Sequence, residues 1–164
     1  MDYYVKDISL AEQGLNNIEL AEQQMGALLK VREEMKKRRP FKDMRIAMAL
    51  HVTKETAVLV RTLMAGGAEV WITGCNPLST QDDVAAALVK EGVHVYAYKG
   101  ETNDEYYEYL KKVIESKPHI TIDDGCDLVS MIHKDYPELI DTLIGGCEET
   151  TTGIVRLEAM EKDN

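Results

Sequence analysis

Residues 44–65, MRIAMALHVTKETAVLVRTLMA, decide the fold. Met44 to Leu50 is a short, nearly unbroken apolar run. His51-Val52-Thr53 interrupts it, and Thr53 stands where a helix N-cap belongs, ahead of the amphipathic stretch TAVLVRTLMA. A strand apolar on both faces that runs at once into a helix is the repeating unit of a parallel sheet covered on both sides. Further along the chain the unit recurs. EVWITG (69–74), VHVYAY (93–98), HITID (119–123) and LIGG (143–146) are short apolar runs of the same kind. The first four of the five runs are each followed by a helical segment. Ser79 with Asp82, and Thr102 with Glu105, have capping-box spacing. Gly66-Gly67 and Gly92 sit where helices should end. The expected fold is α/β: a parallel five-stranded, flavodoxin- or Rossmann-like sheet in three layers.

Ahead of this pattern, residues 1–40 read as a helical arm. Leu15, Ile18, Ala21, Met25, Leu28, Val31 and Met35 recur at spacings of three and four, so one continuous helix would carry them on one face. Lys36-Lys37-Arg38-Arg39 suits a solvated helix C-terminus, and Pro40 stops it. The expected division is an arm over residues 1–40 packed on an α/β substrate-binding domain over 41–164.

Composition narrows the function. The chain has 164 residues, enough to bury a core without disulfide staples. Its 29 acidic and 19 basic residues give a net charge of −10, which argues against nucleic acid and anionic lipid surfaces as partners. Three cysteines, Cys75, Cys126 and Cys147, fit free thiols in a reducing compartment. No apolar run reaches the ~18–20 residues of a membrane span, and MDYYVKDISL lacks a signal pattern. A cytoplasmic location is expected.

Ligands of open parallel sheets sit at the carboxyl ends of the strands. Five polar clusters fall there: His51 to Thr56, Cys75 to Asp82, Lys99 to Thr102, Asp123 to Gly125, and Glu148 to Gly153. Each has a plain structural reading. His51 could be a hydrogen-bonded structural histidine, Asp123-Asp124-Gly125 a turn, and Thr53, Ser79 and Thr102 simple N-caps. Gathered at one edge, they match a site for a hydroxyl-rich small molecule and acid–base chemistry. A zinc site from Cys75, Cys126, Cys147 and His51 lacks any Cys-x-x-Cys pair, so no metal is expected. A phosphorylated receiver domain would carry its acidic pair after the first strand, not the fourth. The glycine fingerprint of a dinucleotide fold is missing.

The motifs also resemble a known family. DISLAEQG (7–14), LHVTKETAVL (50–59), CNPLSTQDDVAAAL (75–88), KGET (99–102), IDDG (122–125) and EETTTG (148–153) are similar, in order and spacing, to adenosylhomocysteinase, in its archaeal and bacterial form. That family reversibly cleaves S-adenosyl-L-homocysteine to adenosine and homocysteine. A bound NAD oxidises the ribose 3′-hydroxyl, elimination expels the thiolate, and water adds. The resemblance implies catalytic roles for His51, Asp124 and Glu149. It implies substrate contacts for Thr53, Glu55, Thr56, Ser79 and Thr80, with Asp124 and Glu149 again, and NAD contacts for Thr150, Thr151 and Thr152. Glu55 matches the acceptor for the adenine amino group, which predicts adenosine over inosine, because a carboxylate can only accept.

The resemblance departs at Lys54, where relatives are often apolar, at Cys126, where glycine is common, and at Cys147, where serine is common. It covers only the first part of the family's substrate-binding region. The catalytic lysine, a further aspartate, the NAD-binding domain and a C-terminal tail follow in relatives, which form homo-oligomers. The chain alone is therefore expected to be inactive. The alternative is a non-catalytic adenosine-binding or regulatory module derived from the family.

Overall fold

The structure is a computed structural model describing residues 2–163. Five strands, β1 (Arg45–Ala49), β2 (Glu69–Thr73), β3 (His94–Tyr96), β4 (Ile120–Asp123) and β5 (Gly145–Glu148), form one all-parallel sheet in the order β3-β2-β1-β4-β5. That is the Rossmann order; in the flavodoxin order the first strand would not have the fourth beside it. β1 lies at the centre, and Ile46 to Ala49 are buried, which explains why that run carries no polar residue.

Between the strands run α3 (Lys54–Ala65), α4 (Asp82–Lys90), α5 (Asn103–Ile114) and α6 (Asp127–Asp135); α7 (Thr151–Asp163) follows β5. Alternate strand residues feed two cores. Ile46, Met48, Val70 and Ile72 pack with Val58, Val60 and Leu88 of α3 and α4. Ala47 and Ala49 pack with Leu110, Ile114, Leu128 and Ile132 of α5 and α6. Helices therefore cover both faces. The chain builds β1, β2 and β3 outward in one direction, then crosses to β4 on the other side of β1. The gap between the carboxyl ends of β1 and β4 is the topological switch point, where such sheets bind ligands.

The expected start signals hold at two helices. Thr53 accepts from the Thr56 N–H, and Thr102 with Glu105 forms a complete capping box. Ser79 and Asp82 do not form one: α4 begins after Gln81, with no side-chain cap. Asp82 instead accepts from the Lys99 N–H at 2.7 Å. Gln81 ties two loops together, its side chain accepting from Lys54 N–H at 3.0 Å and its own N–H donating to Val52 O at 2.9 Å. β5 also falls two residues later than LIGG implies, because Leu143 packs into the second core instead of pairing.

The arm is two helices, not one: α1 (Ala11–Glu22) and α2 (Gly26–Arg38). Met25, at φ −108° and ψ 42°, breaks the helical path just before Gly26, a poor helix former. Leu15, Ile18, Ala21, Met25 and Leu28 all pack into the first core, whereas Val31 of α2 is 42% exposed, so the expected apolar face holds as far as Leu28 and ends there. α1 packs on α3 and α4. Charge ties the arm down: Glu22 pairs with Arg32 of α2 at 2.6 Å and with Arg61 of α3 at 3.0 Å, and Arg61 also holds Glu91. Tyr4 reaches the far edge of the sheet and bridges β3 through Val95 O and Ala97 N–H.

Candidate functional site

Register aligns the carboxyl ends of the strands. Ala49 pairs with Thr73 on one side and Asp123 on the other, and Asp123 pairs with Glu148. The next residues along β1, β2 and β4 enter loops that meet over the switch point. There His51, Cys75 and Asp124 come together: His51 Nε2 lies 3.4 Å from Asp124 Oδ2, and the Cys75 thiol donates to the same oxygen at 3.5 Å. The His51 side chain is 47% exposed and that of Asp124 only 16%, so the imidazole faces the open side and the carboxylate backs it. Burial, reinforced by the charge of Asp124, pushes the Cys75 thiol strongly upward, so it is held as a neutral donor.

Ser79 orients the imidazole. Its hydroxyl lies 2.7 Å from His51 Nδ1 and donates to Asn76 O at 3.0 Å. A hydroxyl has one hydrogen, so Ser79 accepts from Nδ1–H and leaves Nε2 toward Asp124. The sequence reads Ser79 as a helix cap or a substrate contact; its partner in the structure is His51.

The two acidic pairs divide in the same way. Asp123 is fully buried and accepts from Val129 N–H at 3.0 Å and Asp124 N–H at 3.1 Å, so it anchors the start of α6. Burial pushes its carboxyl up to about 6 against those bonds. Glu148 accepts from the N–H groups of Gly125, Cys126 and Thr150 at 2.8, 3.1 and 3.1 Å, lacing the two loops together. Its carboxylate lies against Gly153 in the first turn of α7, where any Cβ would collide with it. Asp124 and Glu149, the second of each pair, are free of such duties and face the site. Cys126 takes a left-handed φ of 68°, which accounts for glycine being at home at this position.

Beside His51 opens a cleft of about 360 Å³. Met25, Leu28, Leu50, Leu59 and Ile122 supply apolar walls, and Glu55, Thr56 and Glu149 supply polar groups. The break in the arm has a use here, since it brings Met25 and Leu28 to the cleft. Thr53 is not among its lining residues; it caps α3, accepting from the Thr56 N–H. Thr80 is not brought to it: at 2% exposure its hydroxyl turns inward beside Gly74 and Glu101. Thr151 and Thr152 are exposed in the first turn of α7, with Thr150 just ahead.

The sequence places Cys75 and Glu148 at this edge but assigns neither a role in the site. Strand order was the missing signal for Cys75: with β2 and β4 flanking β1, the residues leaving those strands must meet His51.

Comparison with known proteins gives the family. The family model described as S-adenosyl-L-homocysteine hydrolase matches residues 2–142. The chain is 59% identical, over 98% of its length, to the S-inosyl-L-homocysteine hydrolase of Methanocaldococcus jannaschii. It is 56% identical over 99% of its length to the adenosylhomocysteinase of Sulfurisphaera tokodaii, and 55% over 98% to that of Aquifex aeolicus. It covers 39%, 39% and 38% of these relatives, so it spans about two fifths of their length.

Proposed function

The chain belongs to the S-adenosyl-L-homocysteine hydrolase family, and we propose that it supplies the nucleoside-holding and acid–base part of a hydrolase that cleaves an S-nucleosyl-L-homocysteine thioether. The observation that carries this reading is the meeting of His51 and Asp124 at the switch point beside an apolar cleft rimmed by Glu55 and Glu149. The purine lies between Met25, Leu28, Leu59 and Ile122. The ribose is directed toward Glu149, and C5′ with its sulfur toward His51. Ser79 holds Nδ1–H, so Nε2 moves the proton, giving it to the leaving sulfur and taking one from the incoming water. Asp124, 3.4 Å away, stabilises the imidazolium that exists before the first transfer and again after the second.

The family's cofactor is NAD, which when bound supplies oxidation and re-reduction of the ribose hydroxyl. The residues present fit one edge of it. Thr150, Thr151 and Thr152 offer hydroxyls at an open helix start, a donor set suited to ribose and amide groups. For these 164 residues by themselves the reading is ligand binding without turnover. Catalysis, homo-oligomer formation and a cytoplasmic setting belong to the longer assembly. Among the described residues no helix is long and apolar enough to cross a membrane.

The base deserves a second reading, because a relative 59% identical is named for S-inosyl-L-homocysteine. Glu55 accepts only. Adenine offers it the 6-amino group, but hypoxanthine offers N1–H one atom away, so a carboxylate at this edge admits either purine with a small lateral shift. Adenosine remains the first assignment. Calorimetric titration of the chain with adenosine and inosine decides the matter. Binding of adenosine at least about tenfold tighter supports adenine, and the reverse order moves the assignment to hypoxanthine. Unchanged affinity for both nucleosides in Glu55→Ala would refute the role of Glu55, and failure of either to bind would refute the cleft. Thiol release from S-adenosyl-L-homocysteine and NAD by the chain alone would overturn the reading of binding without turnover.

A further inference from the structure

We propose that His51, Cys75 and Asp124 form a site for a thiophilic divalent cation of the zinc type. One ligating atom from each lies within 4.8 Å of the other two. A tetrahedral zinc ion with bonds of about 2.0 Å to nitrogen and oxygen and about 2.3 Å to sulfur spaces an N–O pair about 3.3 Å and an S–O pair about 3.5 Å apart. The corresponding separations here are 3.4 Å for His51 Nε2 to Asp124 Oδ2 and 3.5 Å for Cys75 Sγ to Asp124 Oδ2. Two edges of the coordination triangle are thus already at ligand spacing. The third, from imidazole to thiol, has at most 4.8 Å to close to about 3.6 Å.

The support around the ligands is also that of a metal site. A ligating histidine ordinarily donates its other ring N–H to an oxygen, which fixes ring and tautomer. Ser79 does this at 2.7 Å, itself fixed by its bond to Asn76 O. The lone pair of Nε2 is left facing the cluster. Cys75 is held by its N–H to Leu50 O at 3.3 Å, and His51 by its carbonyl, which accepts from Thr53 N–H at 2.9 Å. The fourth coordination position faces the open side of the half-exposed imidazole, leaving room for water or a small thiol. One carboxylate, one imidazole and one thiol select zinc over magnesium or calcium, which need several oxygens.

On binding, the metal–sulfur bond forms as the Cys75 S–H breaks, and that proton passes to solvent. Nε2 gives its lone pair to the cation. The consequence for catalysis rests on the function proposed above: an imidazole committed to zinc cannot shuttle a proton, so zinc inhibits. Binding itself does not depend on that reading.

Cobalt(II), which substitutes for zinc and is coloured, tests the site without any turnover. Titrating the metal-free chain with Co²⁺ should give one saturable equivalent with a thiolate-to-cobalt band and intense tetrahedral d–d bands, both erased by Zn²⁺. Cys75→Ser should abolish the thiolate band. Asp124→Asn and His51→Gln should weaken affinity at least about tenfold. Cys126→Ser and Cys147→Ser should leave the spectrum unchanged, and unaltered circular dichroism and melting confirm that the variants fold. A band that survives Cys75→Ser, a band lost with Cys147→Ser, or no saturable band at millimolar Co²⁺ would each overturn the proposal.

Discussion

Replacing Glu101 with glutamine should stabilise the protein above neutral pH and leave it little changed in mild acid. Glu101 is 4% exposed. One of its oxygens accepts from Tyr98 N–H at 3.4 Å. The other is buried without a partner, as is the Thr80 hydroxyl, and both lie against Gly74. Burial pushes the carboxyl from its ordinary 4.5 up to about 7, the Tyr98 bond opposing. A raised folded-state value means stability that is complete where both states are protonated and is lost as pH rises from about 4.5 through about 7. At 1.36 kcal/mol per unit the shift corresponds to about 3 kcal/mol. Screening by nearby solvent reduces the expected effect to about 1–2 kcal/mol. Glutamine stays neutral, keeps an acceptor for Tyr98, and adds an N–H₂ that can donate to Thr80. The assay is thermal unfolding of parent and variant at a series of pH values. The difference should be close to zero near pH 4.5 and reach about 1–2 kcal/mol in favour of the variant near pH 8, a Tm gain of about 4 °C. Taking the difference removes Asp123, whose carboxyl titrates in the same direction. A difference that does not vary with pH, or a variant less stable near pH 8, would refute the reasoning.

Other perturbations probe the supports of the site. Gly153→Ala should push the Glu148 carboxylate off the loops it holds, costing about 1–3 kcal/mol in urea unfolding and weakening nucleoside affinity measured by calorimetry. Gly14→Ala should cost a similar amount, since its Cβ would collide with the Asp83 carbonyl where α1 meets α4. Because Gly14 is remote from the cleft, nucleoside affinity below the unfolding temperature should hold. Ser79→Ala should leave stability nearly intact and change the tautomer of His51, read from ¹⁵N shifts of the ring, with a parental spectrum counting against the hydrogen-bond assignment.

Periodicity made most of the architecture legible. Continuous apolar runs announce strands buried on both faces, and Thr53, Thr102 and the glycines mark helix ends as local chemistry requires. What stayed hidden is whatever tertiary contact decides. Leu15 to Met35 keep helical spacing throughout, yet the path breaks at Met25, just ahead of Gly26, and Met25 and Leu28 both pack on the first core and line the cleft. Ser79 and Asp82 have capping-box spacing, but each finds a better partner far along the chain, His51 and Lys99. Spacing cannot report a partner 28 residues away.

The division of labour within the acidic pairs shows how fold becomes chemistry. Nothing in the dipeptide Asp123-Asp124 or Glu148-Glu149 says which residue serves structure. Register does. Partners in a parallel ladder share a face, and side chains alternate along each strand. Ala49 belongs to the α5–α6 face, so Asp123 and Glu148, its partner and its partner's partner, are committed to that face. There they meet the N–H groups that begin α6 and α7, which carboxylates satisfy well. The following residues, Asp124 and Glu149, are turned out of that face and toward the loop from β1, where His51 waits. A one-residue slip of β4 or β5 would exchange the roles, burying the reactive carboxylate and exposing the anchor. The site is therefore specified as much by the alternation of buried residues in the strands below it as by its own residues.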